Sequence, residues 1–319
     1  MRHPRIKTCS IIAGIAVLTA LAAWLLPRKR PAPAPSVVVS GVISPSSLAV
    51  DDATLFFTAF VGEGKNTRVL FSMPAGGGAP RRLAEGQMET PSVAVDGSAA
   101  YFTSYGEGSV SRVPRAGGPA QVIALEQRHP NSLAIESGQL YFTARDPQGR
   151  SLLKLPVSGG TITTLALGLR DLRSIAAQPD AIFVAAGDRL IKVPAAGGQS
   201  ETLLSGRGML LELAESAGFV FAAAAAPDTL ILRVPAEGGE ALQIAASPGR
   251  ATALVASEDR VYWSTRGDGG RVFAVSHDGG SAEELMAGSD VPASLALDEA
   301  HVYVALGEKS GRIVKLARR

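Results

Sequence analysis

From Ser36 onward the apolar residues fall in short bursts separated by Gly, Pro, Asp and Ser, a spacing that fits strands and turns rather than helical stripes. Five stretches show the pattern most openly. They are PSSLAVDDATLFFT (45–58), PSVAVDGSAAYFT (91–103), PNSLAIESGQLYFT (130–143), ATALVASEDRVYWS (251–264) and PASLALDEAHVYVA (292–305). Each reads as a strand a (Leu-Ala-Val), a tight turn and a strand b (Tyr-Phe-Thr). A polar loop follows, then a strand c that ends in Val-Pro, a Gly-Gly hairpin and a strand d.

The hairpins set the period. MPAGGG at Pro74, VPRAGG at Pro114, LPVSGG at Pro156, VPAAGG at Pro194, VPAEGG at Pro235 and VSHDGG, with Ser276 in the proline position, lie 40, 42, 38, 41 and 41 residues apart. That is the repeat of a propeller blade of four strands. The glycine pairs fit hairpins that need positive φ; no helix follows them, so they do not read as phosphate cradles.

Counting strands a and b gives seven units, centred near Leu48, Val93, Leu133, Ile175, Leu211, Leu254 and Leu295. The fourth and fifth, ending IFVAA and FVFAAAA, are the most degraded. Small residues in strand a (Ala49, Ala94, Ala134, Ala296) suit the crowded centre of a ring, and the aromatics of strand b suit its diverging faces. The chain stops just after strand c of the last unit. The orphan segment SVVVSGV (36–42) is expected to supply the missing outer strand and close the ring.

The expected fold is therefore all-β: a β-propeller of seven four-stranded blades over residues 36–319. A Pro-rich linker (31–35) joins it to an N-terminal segment (1–30). That segment carries six Lys and Arg, no acid, and an apolar run from Cys9 to Leu26 of membrane length. It reads as a signal sequence or a transmembrane helix. Cleavage after Ala34 would leave Pro35 first, so an uncleaved anchor is expected, with the propeller extracytoplasmic, periplasmic or at the cell surface. A cleaved leader would leave it secreted.

Without the leader's six cations, 25 Lys and Arg face 29 Asp and Glu, a formal charge of −4, which gives no case for nucleic acid. Cys9 is the only cysteine and precedes the apolar run, so neither a disulfide nor a lipid anchor is expected.

Units such as VYWSTRGDGGRVFAVSHDGG (261–280) and PNSLAIESGQLYFT resemble the YWTD propellers of LDL-receptor-type proteins and their bacterial NHL-like and TolB-like relatives. The resemblance covers nearly everything from residue 36. It departs at the fourth motif position, where Trp263 is followed by Ser264 and Thr265. It implies six blades, where the strand count gives seven, and it says little about function, since such folds host binding, signalling and catalysis alike.

Propeller sites usually lie at the channel mouth, among the d-to-a and b-to-c loops. The d-to-a loops offer Glu89, Arg128, His129, Asn131, Arg170, Asp171, Arg207, Arg250 and Asp290. The b-to-c loops add Glu63, Lys65, Asp146, Asp268 and Glu308. The arginines could recognise a carboxylate or an acidic peptide; a mixed solvated rim is the plainer reading. Metal-dependent lactonases and lyases built on similar propellers need converging acid and amide groups, or a histidine pair. With only Asn66 and Asn131 as asparagines, and with His277 in a hairpin and His301 at an a-to-b turn, neither set assembles around His129. No zinc-type Cys and His cluster, nucleotide loop or nucleophile elbow occurs, and no cofactor is expected. Tyr101, Tyr141, Tyr262 and Trp263 recur in strand b and read as packing between blades.

The expected activity is binding of a protein, a peptide or a small anionic ligand by a monomeric, membrane-tethered propeller. The alternative is a hydrolase or lyase with a loop-built site, or a sensor domain.

Overall fold

The computed structural model describes residues 34–61, 67–88, 92–267, 269–307 and 311–318, and the N-terminal segment lies outside them. The described chain forms seven four-stranded antiparallel sheets. Numbering strands β1 to β28 in chain order, the blades span Ile43–Met88 (β2 to β5), Val93–Ala124 (β6 to β9), Asn131–Ala166 (β10 to β13), Leu172–Leu204 (β14 to β17), Met209–Ser247 (β18 to β21) and Arg250–Gly288 (β22 to β25). The seventh blade joins β26 (Pro292–Leu297), β27 (His301–Leu306) and β28 (Arg312–Ala317) to β1 (Ser36–Ser40), which pairs antiparallel with β28 from Ser36↔Lys315 to Ser40↔Arg312. Seven blades, closed by the N-terminal strand, replace the six that the resemblance implied.

The core is divided among the interfaces. Among the described residues there are seven apolar clusters, and each straddles one pair of neighbouring blades. Second strands are therefore covered on both faces, and AAYFTS (99–104) and AIFVAA (181–186) are buried at every position. Tyr101, Tyr141, Tyr262 and Trp263 are all buried between blades, and the Trp263 indole donates to Ser247 Oγ at 2.8 Å.

A cation two residues before the hairpin proline ties each of the second to fifth blades to the next. Arg112 donates to Val157 O at 3.2 Å, Lys154 to Ala195 O at 2.6 Å, Lys192 to Glu237 at 2.9 Å and Arg233 to His277 O at 2.8 Å. Each acceptor lies on the following blade's hairpin.

Register corrects one unit. In β18 (Met209–Ser216), Leu213 pairs with Ala222 in the place where Leu133 pairs with Phe142 and Ile175 with Val184. The fifth unit is thus centred on Leu213, not Leu211: MLLELAES offers leucines at 210, 211 and 213, and only the pairing with Ala222 selects the last.

Candidate functional site

The seven first strands surround a central channel of about 340 Å³. Aligned through the ladders, one position just before the central apolar residue is occupied in turn by Ser47, Ser92, Ser132, Ser174, Glu212, Ala253 and Ser294, and all seven line the channel. The serines form a collar that links strand to strand. Ser294 Oγ accepts from Leu48 N–H at 3.0 Å, Ser92 Oγ from Leu133 N–H at 3.0 Å and Ser174 Oγ from Leu213 N–H at 3.1 Å, while Ser132 Oγ donates to Arg173 O at 3.3 Å. An inner strand has no sheet partner on its axial side, and these side chains satisfy backbone groups there.

Above the collar the channel widens into a mouth of about 520 Å³ whose wall includes Arg150, Arg173, Arg250 and Arg266. Asn131, Arg173, Glu212, Thr252 and Ala293 belong to both spaces and form the neck between them. None of the four arginines makes an ion pair with a described carboxylate. Arg150 Nη1 is buried without a hydrogen-bond partner among the described residues, and burial, with Arg145 nearby, lowers the guanidinium's pKa.

Glu212 is the only acid among the described residues that line channel and mouth. Packed among the residues shared by the two spaces, it loses much of its hydration, although it is only half-buried and one side stays open to the channel. Burial pushes its carboxyl up to about 7, against the opposing pull of a hydrogen bond from Ser174 and the charge of Arg173.

The expected mouth residues distribute unevenly. Asn131 and Arg250 line the mouth. Asp171 lines a side pocket with Arg145, Arg150 and Arg173. Arg128, Arg170 and Arg207 are exposed in their loops and form no part of either wall. His129 packs its ring on Tyr105, with centroids 4.3 Å apart, and its Nδ1 is buried without a hydrogen-bond partner among the described residues. Asp290 is buried and holds Arg312 at 3.2 Å. Asp146 closes its own loop by accepting from Gln148 N, Ser151 Oγ and Gly168 N. Glu63, Lys65, Glu89, Asp268 and Glu308 lie outside the described residues.

His277 sits in its hairpin, its ring tilted against Phe221 with centroids 4.4 Å apart, and His301 lies beside Asp298, so neither joins His129. Among the described residues no group of three or more His, Cys, Asp or Glu side chains converges to hold a metal ion. Sequence reasoning missed the serine collar, Glu212, Arg150, Arg173 and Arg266. The recurrent Ser before Leu-Ala could have shown the collar. Glu212 could not be seen, because with Leu211 as centre Leu210 takes its place.

Fold and channel together define a seven-bladed propeller with a hydroxyl-lined axis and an arginine-rich mouth. Many solved structures share the fold. A streptogramin B lyase is 16% identical, with a TM-score of 0.69 over 89% of this chain and 96% of that one. U3-55K is 13% identical, with a TM-score of 0.66 over 89% and 98%. A propeller from a nidogen/laminin complex is 14% identical, with a TM-score of 0.51 over 62% and 80%. No family model matches the chain, and no curated protein sequence does. At these identities the likeness is one of fold.

Proposed function

We propose that the chain is a membrane-tethered, extracytoplasmic binding module that takes an anionic group, on a small ligand or a peptide, at the mouth of its channel. The observation that carries this reading is the set of four mouth guanidiniums, none in an ion pair with a described carboxylate, one with a buried Nη1 that has no described hydrogen-bond partner. A buried donor left unpaired is costly, and an oxoanion would satisfy it. The tether rests on the leader's apolar run and flanking cations.

The test is calorimetric titration of the full chain, in neutral detergent, with sulfate and with oxalate. Saturable binding that weakens at least about tenfold in Arg150→Met supports the reading, since a charge-assisted pair is worth about 1.5–3 kcal/mol. No binding, or binding indifferent to that change, overturns it. Membrane fractionation with protease added from outside tests the tether.

A second reading is favoured by Glu212. A carboxyl titrating near neutrality among arginines has the properties of a general acid or base, which a propeller hydrolase or lyase would need. Turnover of an ester or lactone panel, lost in Glu212→Gln, would support it.

A further inference from the structure

We propose that the neck of the channel binds an oxoanion together with one proton, which Glu212 takes up as the anion settles on the mouth arginines. This rests on the anion-binding reading above and adds what controls it.

The geometry leads there by three steps. Glu212 shares the neck with Arg173, Asn131 and Thr252, so an anion reaching both Arg150 and the neck lies against its carboxyl group. A carboxylate and an oxoanion cannot share a poorly hydrated site cheaply, and the group that can give way is the one able to accept a proton. Once protonated, Glu212 joins a wall of donors: the guanidiniums, the Asn131 amide and the collar hydroxyls. Ser174 Oγ already accepts from Leu213 N–H, which leaves its own hydrogen for the Glu212 side chain.

The charged groups around this carboxyl are few. Strand β14 (Leu172–Ala177) offers Arg173, β22 (Arg250–Ala256) offers Arg250, and the loops above add Arg150 and Arg266. Strands β15 (Ala181–Ala186) and β19 (Phe219–Ala225), packed beside β18, carry no ionisable side chain. Strand β16 (Arg189–Pro194) sends Lys192 outward to Glu237 and leaves Arg189 exposed, and Glu215, further along β18 itself, accepts from Gln178 Nε2. No histidine is among the described residues lining the neck. A carboxyl raised to about 7 is largely protonated below that pH, so anion affinity should be flat in mild acid and fall above neutrality, by about tenfold per pH unit.

The full chain is titrated with sulfate and with oxalate, neither of which changes charge between about pH 6 and pH 8. Wild type is expected to bind about tenfold more weakly at the higher pH and, in paired buffers of different protonation enthalpy, to take up about one proton per anion there. Glu212→Gln, neutral at both, is expected to bind about tenfold more tightly than wild type at the higher pH and to take up none. Binding that is independent of pH, or pH dependence that survives in Glu212→Gln, overturns the coupling and leaves the anion site standing. Binding at neither pH overturns both.

Discussion

The backbone N–H of Val42 donates to the carbonyl oxygen of Gly311 at 3.0 Å, fastening the start of the folded chain to the residue just before its last strand. Gly311 has φ of +49°, and a Cβ there would run into the Val42 carbonyl oxygen. Gly311→Ala should therefore loosen the closure by about 2 kcal/mol, read as a lower urea midpoint. Deleting residues 36–42 removes Val38 and Val39 from the cluster between the first and seventh blades and leaves β28 paired on one side only, with β27. That should cost at least about 3 kcal/mol.

Ser174→Ala should destabilise by about 1–3 kcal/mol, since it strands the Leu213 N–H at a buried point of the axis. It also removes the hydrogen bond that pulls the Glu212 carboxyl down, so that group should titrate higher still. Carbon-detected NMR of the Glu212 carboxyl would report the second effect. A loss of stability without a change in titration would mean that Ser174 holds only the strand.

Glu212 should weaken the fold at alkaline pH. Its carboxyl is raised from 4.5 to about 7, so between those values the native chain holds a proton that the unfolded chain has released. Stability consequently falls as pH rises through that window and levels off above about 7. Glu212→Gln should match wild type near pH 4 and exceed it by about 2 kcal/mol at pH 8, because channel water screens part of the penalty. Thermal melts across the range decide it; a variant less stable at pH 8 would contradict the assigned environment.

The inter-blade cations should differ in weight. Arg233 donates to His277 O and Asp278 and lies over the Phe219 ring at 4.7 Å, whereas Lys192 meets a Glu237 side chain that is 88% exposed. Arg233→Ala should cost about 2 kcal/mol and Lys192→Ala under about 1 kcal/mol, measured by chemical denaturation.

Blade number, strand order and closure were legible in the sequence because turns write them locally: the Pro-to-Gly-Gly hairpins after Pro74, Pro114, Pro156, Pro194 and Pro235 fix a register that repeats. The inter-blade cations went unread, although Arg112, Lys154, Lys192 and Arg233 stand two residues before the last four of those prolines. The axis was harder to read. Each blade contributes about one residue at each level, so the neck is assembled from positions some 40 residues apart, and a shift of two residues in MLLELAES hid Glu212. His129 drew attention as a loop histidine, yet its ring rests on Tyr105, a contact that no local pattern announces.

Repetition creates a difficulty that the collar resolves. Seven alike strands around an axis would offer an entering molecule seven equivalent rotational poses, and no unique direction in which to lie. With Glu212 on the fifth strand and Ala253 beside it on the sixth, a single azimuth differs from the others in both charge and room. Choosing one pose among seven corresponds to about 1 kcal/mol, well within the reach of one carboxyl group. Two departures in neighbouring repeats thus turn a rotationally degenerate pore into a seat with a single orientation.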